Sequence, residues 1–571
     1  MRNRKYIAYS DIKDSIFAKN SFALADLNKP LVEALQARQI HNKLHLFKDE
    51  NDFVNGEYLV NNKYCVFYSK PPELQIPIFY DEWLNIKKPA LLFGIGLGYG
   101  LKYLLNHSAI PKLYVYVRDK SLLKIALTLN DYASQILTER LVIVSQENLF
   151  TLADKVIEFI LPEPLLFREN KVEYLTISRI IKTGKFSTKR AVILSGNLFV
   201  LDCATTLFDQ GWDVFEIDRA LSTPQEVYQS VENLQPDLVF QINLQDEMQK
   251  FNQKRVVVEW EIDPMASPIP PVESGGTGKL FIFTHNPDRL LNFQENNYAH
   301  CEYLPLCSNP HKFSPTKLDA DSQKRFHCDL SFVGSLMFKT QQDLFAVLLD
   351  ALDKQSREEN EGWSKIGTWM QQLISNPPAG CKNSTLLTEL KNLLQVSELP
   401  DSVRIHDSDL LITAPVEEFL SYLWRKQVIS AIVPFGVHIW GKEEWKNDFA
   451  QNYRGRADHY LDLPKIYRAS KINLDISRTN QPNIITMRVF DVLACGGFVL
   501  ADRNEALLDL FREDRDIVCY DTPEEAVDKI RYYLNHENER QIIAKRGHET
   551  VINAHTFTHR MNHILQKTGL Q

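Results

Sequence analysis

Short apolar runs alternate along most of this chain with stretches in which apolar residues recur every three or four positions. Runs of the first kind suit strands buried on both faces, and the second periodicity suits helices laid over them. An α/β chain built on parallel sheets is therefore predicted. The first segment opens with a polar helical stretch and gives strand-like runs at 64–68 and 90–93. Gly94-Ile-Gly-Leu-Gly-Tyr-Gly100 follows, then a helix at 101–105, a strand at 113–117, a helix at 122–129 and a strand at 141–144. After the Lys/Thr/Ser-rich residues 182–189, strands are expected at 191–194, 212–216, 238–242, 255–258, 281–284 and 301–304, with a helix at 199–210. Residues 263–278 hold four prolines and three glycines, too much punctuation for regular structure. A third segment begins with polar helical residues 341–394. It continues with strands at 431–435, 472–476, 497–501 and 516–520 and closing helices at 523–536 and 537–554.

A length of 571 residues exceeds one hydrophobic core. The patterns divide it into domains 1–185, 186–325 and 326–571, the last carrying a helical insertion at about 341–395. A net charge of −8 argues against a nucleic-acid-binding surface. The basic cluster Arg179, Lys182, Lys185, Lys189 and Arg190 reads as a solvated linker. None of the eight cysteines forms a CxxC pair, so neither a zinc ribbon nor a redox motif is supported, and a reducing, cytoplasmic compartment is expected. The basic N-terminus lacks an apolar signal region, and no window of apolar residues is long enough to predict a transmembrane segment.

The most telling stretch is Arg488-Val-Phe-Asp-Val-Leu-Ala-Cys-Gly-Gly-Phe-Val-Leu-Ala-Asp502: a short helix carrying Asp491, a glycine turn, then a buried strand. That order suits the ribose and phosphates of a nucleotide. An ionised Asp491 accepts two hydroxyl hydrogen bonds at once; the plainer reading is a helix acid paired with Arg488. Arg488 matches phosphate oxygens in the same way that it matches a carboxylate. Residues 480–486 and Gly496-Gly497 are expected to offer backbone N–H donors. His438 and Gly441, in Phe435-Gly-Val-His-Ile-Trp-Gly441, occupy a strand-to-loop passage where base or phosphate would lie, although a histidine beside apolar residues is more often structural. Glu259, Glu261 and Asp263 alternate onto one strand face before the Pro/Gly loop, which makes Asp263 a candidate base; His285 ends the next strand and is a second candidate. Gly94, Gly96 and Gly98, followed by Asp119 at the end of the next strand, form a possible N-terminal ligand site of dinucleotide or S-adenosylmethionine type. No Asp-x-Asp in a strand context predicts a metal; Asp319-Ala-Asp321 lies in a polar stretch.

Two Rossmann-like units in tandem suggest a GT-B architecture. Tyr303-Leu-Pro-Leu-Cys-Ser-Asn-Pro-His-Lys-Phe-Ser-Pro315 with Cys328-Asp-Leu-Ser-Phe-Val-Gly-Ser335 resembles the inter-domain passage of CgeB-like glycosyltransferases. Tyr467-Arg-Ala-Ser-Lys-Ile-Asn-Leu-Asp-Ile476, the 488–497 motif and His555-Thr-Phe-Thr-His-Arg560 follow in the same order, so the resemblance spans roughly 190–565. Phe93-Gly-Ile-Gly-Leu-Gly-Tyr99 and its surroundings are similar to the N-terminal region of Maf-type motility-associated flagellin glycosyltransferases. The resemblance implies a third, N-terminal Rossmann-like domain ahead of the GT-B pair. It implies sugar transfer from a UDP-, GDP- or dTDP-sugar, with no cofactor or metal required, to a protein such as flagellin or to a cell-envelope glycan. It places Asp491 at the donor ribose, where Glu is usual, and Asn483 where many retaining relatives carry a second acid. The alternatives are a methyltransferase-like N-terminal enzyme fused to a non-catalytic GT-B scaffold, and a sugar-nucleotide-binding module.

Overall fold

The computed structural model describes all residues except 1–4, 13, 50–51, 61–62, 147–148, 150–151, 153–156, 158, 196–197, 244–253, 264–277, 337, 359–360, 377–385, 401, 406–407 and 480–482. Most of the Pro/Gly loop, and positions 480–482 of the expected phosphate-binding stretch, thus lie outside the described residues. The chain divides into two compact units, Met1–Glu259 and Trp260–Gln571. The fold is α/β with Rossmann-like parallel sheets, as the alternation of runs predicts.

In the first unit, the strands Leu141–Ser145, Leu113–Val117, Ala90–Phe93 and Phe159–Pro162 lie side by side in that order, all parallel. A second parallel set places Arg190–Ser195 between Asp213–Asp218 and Leu238–Ile242. The run at 64–68 does not join a parallel sheet. Lys63–Val66 is the last strand of an antiparallel meander with Lys5–Ile7, Leu44–Lys48 and Val54–Val60. The connections from Leu44–Lys48 to Val54–Val60 and from there to Lys63–Val66 are far too short for a helical crossover, which needs a dozen residues or more, so these neighbouring strands must reverse.

The second unit is organised on a six-stranded parallel sheet. Its order is Tyr453–Gly455, His438–Trp440, Cys328–Val333, Ser470–Asp475, Val499–Asp502, Val518–Tyr520. After Cys328–Val333 the chain builds outward to one side, and from Ser470–Asp475 it builds to the other. The helices Phe338–Glu358, Gly362–Ser375 and Leu386–Val396 form the expected helical stretch, followed by an unforeseen hairpin, Ser402–Ile405 with Ser408–Leu411. The predicted strand at 431–435 is instead the end of helix Thr413–Ile432 and a 3-10 turn, Val433–Phe435. Val428, Ile429 and Ile432 bury one helical stripe, and over five residues a fully buried helix end reads like a buried strand. His438–Trp440 supplies the strand.

Candidate functional site

In an open parallel sheet the crevice for a ligand lies at the carboxyl ends of strands where the strand order reverses, because the loops there diverge. In the second unit that point lies between Cys328–Val333 and Ser470–Asp475. A cavity of about 220 Å³ sits there, lined by Gly334, Ser335, Arg425, Ser477, Arg478, Ile484, Thr486 and Arg488. Gly334-Ser335 and Ser477-Arg478 are the turns leaving the two strands; Thr486 and Arg488 open helix Met487–Ala494.

Three guanidinium groups therefore share one cavity, and no carboxylate is among its lining residues. Arg488 pairs with Asp475 and stacks over the Phe332 ring at 5.2 Å. Arg478 lies 3.5 Å from Glu418. Arg425 has no carboxylate partner among the described residues: its Nη1 donates to the Ser335 carbonyl at 2.7 Å and its Nη2 to the Ile476 carbonyl at 3.3 Å. Burial, and then the neighbouring Arg488 and Arg478, push its pKa down to about 9, so it keeps its charge at neutral pH. Arg425 Nε, Arg488 Nε and Ser477 Oγ are buried without a hydrogen-bond partner among the described residues. A buried donor without a partner costs about 1–3 kcal/mol, more when charged. All three belong to residues that line the one cavity.

Two glycines let the wall close up. A Cβ on Gly334 would lie 2.8 Å from Phe332 Cζ and 3.2 Å from Arg488 Nη2. A Cβ on Gly441 would meet the Gly334 carbonyl oxygen at 2.1 Å. Gly441 thus supports the site from beneath, without lining it.

The other sequence candidates fall elsewhere. Asp491, one turn beyond Arg488, is buried, and its Oδ1 accepts the Ser308 hydroxyl at 2.6 Å. Asn483 is half-buried and not among the lining residues. The amides of Gly496 and Gly497 donate to Leu493 and Val492 carbonyls, both at 2.9 Å, and so close the helix C-terminus; they are spent on the fold. A Cβ on Gly497 would press on the Tyr467 carbonyl at 2.9 Å, which explains the second glycine by packing. His438 is half-buried on its strand, with its pKa lowered by burial and then by Arg454 and His327. His285 is buried; its Nδ1 lies 3.0 Å from the Glu261 carbonyl, which can only accept, so the proton sits on Nδ1 and the lone pair on Nε2. Burial lowers its pKa, leaving it neutral at pH 7. Glu261 is held by Arg289 at 2.7 Å and Glu259 by Gln241 at 3.1 Å, both buried, whereas Asp263 is exposed.

The N-terminal glycine turn is built differently. Gly94, Gly96 and Gly98 all take positive φ, at 87°, 53° and 87°, as such a turn requires. Yet the turn is buried under Leu166, Glu163, Tyr132 and Asn130. Tyr132 donates to the Gly98 carbonyl at 2.5 Å and Asn130 to that of Leu97 at 3.1 Å. Asp119 caps helix Lys120–Leu129 through the Ser121 and Leu122 amides and also holds Tyr58 and His41. The cavity left beside Gly94 and Asp119 measures about 20 Å³, room for one water molecule.

With this geometry in view, comparison with known proteins adds one finding. Residues 418–566 match a family described as glycosyl transferase-like. That segment is a minority of the chain, but it contains six of the eight cavity-lining residues, Arg425, Ser477, Arg478, Ile484, Thr486 and Arg488. No curated protein matches the chain. Among solved structures, sucrose-phosphate synthase from Thermosynechococcus elongatus is 10% identical, with 66% of this chain and 98% of that one covered at a TM-score of 0.39. Anabaena Alr3699/HepE in complex with UDP and glucose is 10% identical over 67% of this chain and 100% of that one, at 0.34. A MAf glycosyltransferase from Magnetospirillum magneticum AMB-1 is 12% identical over 53% and 59%, at 0.22. Likenesses this distant carry no inference about activity. Among the described residues no helix is long and apolar enough to cross a membrane, and no cluster of three His, Cys, Asp or Glu could hold a metal ion.

Neither Arg425 nor Arg478 belongs to a motif of the sequence. Arg425 had a signal: it interrupts the buried stripe of its helix, with Ser421 four residues before it and Val428 and Ile432 three and seven after. A charge there is costly unless something neutralises it.

Proposed function

We propose that this chain is a glycosyltransferase of GT-B type whose donor, a UDP-, GDP- or dTDP-sugar, places its diphosphate in the cavity lined by Arg425, Arg478 and Arg488. The observation that carries this reading is the set of buried, unpartnered donors around a carboxylate-free cavity at a sheet switch point. The glycosyl transferase-like match over 418–566 supports it. Two phosphates offer several acceptor oxygens and negative charge, which suit three guanidinium groups of which only two have an acidic neighbour.

Chemistry follows from the same placement. As the bond between the sugar's anomeric carbon and the phosphate oxygen breaks, negative charge grows on the departing nucleoside diphosphate. Fixed guanidinium groups stabilise that charge more than they stabilise the donor, which lowers the barrier. Because the cations are side chains, the site asks for no bound metal. The base that takes the acceptor's proton is Asp263, exposed at its strand end, or His285, whose Nε2 carries the lone pair. The acceptor is a protein of the flagellin or surface-protein kind or an envelope glycan, and the reaction takes place in the cytoplasm.

Incubating the full chain with a panel of UDP-, GDP-, dTDP- and CMP-sugars, scored for donor hydrolysis, tests the proposal. Turnover of at least one donor, lost in Arg425→Met, is expected. Binding of none would overturn it, and binding with no turnover would leave a sugar-nucleotide-binding module.

A further inference from the structure

Threonine at the start of a helix ordinarily turns its hydroxyl back to cap the first-turn amides. Thr486 has the backbone of such a cap, with φ −69° and ψ 148°, but makes no side-chain cap. Its hydroxyl donates instead to Asp475 Oδ1 at 2.7 Å. The same oxygen receives Arg488 Nη1. Asp475 is buried at the end of strand Ser470–Asp475, and its carbonyl accepts the Tyr520 hydroxyl at 2.9 Å, so the residue is fixed from behind. One carboxylate oxygen thus holds two residues that line the cavity.

We infer that Asp475 is the positioning residue of the donor site: it draws the Thr486 hydroxyl away from the helix and fixes the Arg488 guanidinium, so that an uncapped helix N-terminus and a cation present themselves together to an anion. An uncapped first turn carries partial positive charge and N–H groups that a phosphate oxygen can take. Arg425, a buried cation that lines the same cavity and has no carboxylate partner among the described residues, points to the same class of ligand. Asp475 itself touches no substrate in this scheme. A purely structural acid would need only one of the two contacts, and would leave the threonine free to cap. The inference rests on reading the cavity as a diphosphate site.

Calorimetric titration of the full chain with inorganic pyrophosphate tests it. Asp475→Asn weakens binding tenfold or more, because the freed Thr486 hydroxyl swings back to cap and Arg488 loses its anchor. Adding Thr486→Val to Asp475→Asn recovers about threefold, since no hydroxyl remains to cap. With a nucleotide-sugar substrate the loss falls on KM more than on kcat. Hydrogen exchange in the wild-type protein provides a readout that no folding defect can obscure: amides of 487 and 488 exchange freely and become protected by pyrophosphate, whereas that of Val489, bonded to the Thr486 carbonyl at 3.1 Å, is protected in both states. An Asp475→Asn protein that binds like wild type, a double variant no tighter than the single one, or amides of 487 and 488 already protected in the free protein overturns the inference. If Arg425→Met leaves pyrophosphate binding unchanged, or the wild type binds none, the diphosphate reading itself falls with it.

Discussion

The two units each hold a parallel sheet with a reversal of strand order, and the reversal beside Ala90–Phe93 and the one beside Cys328–Val333 have been put to opposite use. In the first unit it lies between Ala90–Phe93 and Phe159–Pro162. There the Gly94–Gly98 turn meets Glu163 and Leu166, and the turn's carbonyls and the Asp119 carboxylate are satisfied by the protein's own groups. In the second unit the turns end in serine and arginine, and three buried donors have no partner among the described residues. A glycine motif records only that backbone must come close to something. What marks a ligand site is polar chemistry that the fold leaves undone.

The largest expected effect breaks the contrast on the open side. Arg425→Met removes a buried cation with no carboxylate partner. It weakens donor binding by about 2–4 kcal/mol, roughly 30- to 1,000-fold, while leaving the melting temperature of the free protein unchanged or higher. Calorimetry and thermal unfolding on one preparation check both halves. A fall in stability alongside affinity would mean that Arg425 is part of the fold first.

Gly98→Ala acts on the sealed side. Its φ of 87° and a Cβ only 2.6 Å from the Tyr132 hydroxyl predict a loss of about 2–3 kcal/mol of stability, measured by denaturant unfolding, with no change in donor affinity.

Glu163 sharpens the comparison through pH. Burial raises its pKa from 4.5 to about 7, against the backbone hydrogen bonds of Leu166 and Leu165, which lower it. The folded protein therefore holds a proton that the unfolded chain has released. Stability from this group is full below about pH 4.5 and is lost as pH rises toward 7, by up to about 1.4 kcal/mol per pH unit. Glu163→Gln should flatten that part of the stability profile, leaving the similar contribution of Glu216, whose pKa burial also raises to about 7. An unchanged profile would show that Glu163 does not plug the turn as a neutral acid.

The smallest effect tests fine positioning. Gly334→Ala brings a methyl group against Phe332 and Arg488, and about 1 kcal/mol of donor affinity, roughly fivefold, should be lost.

Most strands and helices of both sheets were readable from apolar runs, since those runs exist because strands are buried on both faces. The strand at 431–435 was misread because a fully buried helix end looks like a buried strand, and the one at 64–68 exists but pairs antiparallel, which apolar runs do not record. The site was half readable. Arg488 stood out because it opens a helix that runs into a glycine turn, and Thr486 entered only as the end of the stretch 480–486 expected to offer backbone donors. Asp491 stood out too, and its Oδ1 accepts the hydroxyl of Ser308, distant in sequence and near in space. Arg425 belongs to a helix absent from the sequence reading, and it meets Arg488 only because two crossovers end at the same switch point. In the first unit Glu163 arrives from a strand well beyond the glycines, and no local pattern announces that it fills their turn.

A crystal of the full chain soaked with UDP and GDP tests the central claim most directly. The diphosphate should lie within hydrogen-bond distance of Arg425 and Arg488, in the cavity that Gly334 and Ser477 line. A nucleotide bound anywhere else, above all at the Gly94–Gly98 turn, would contradict the account.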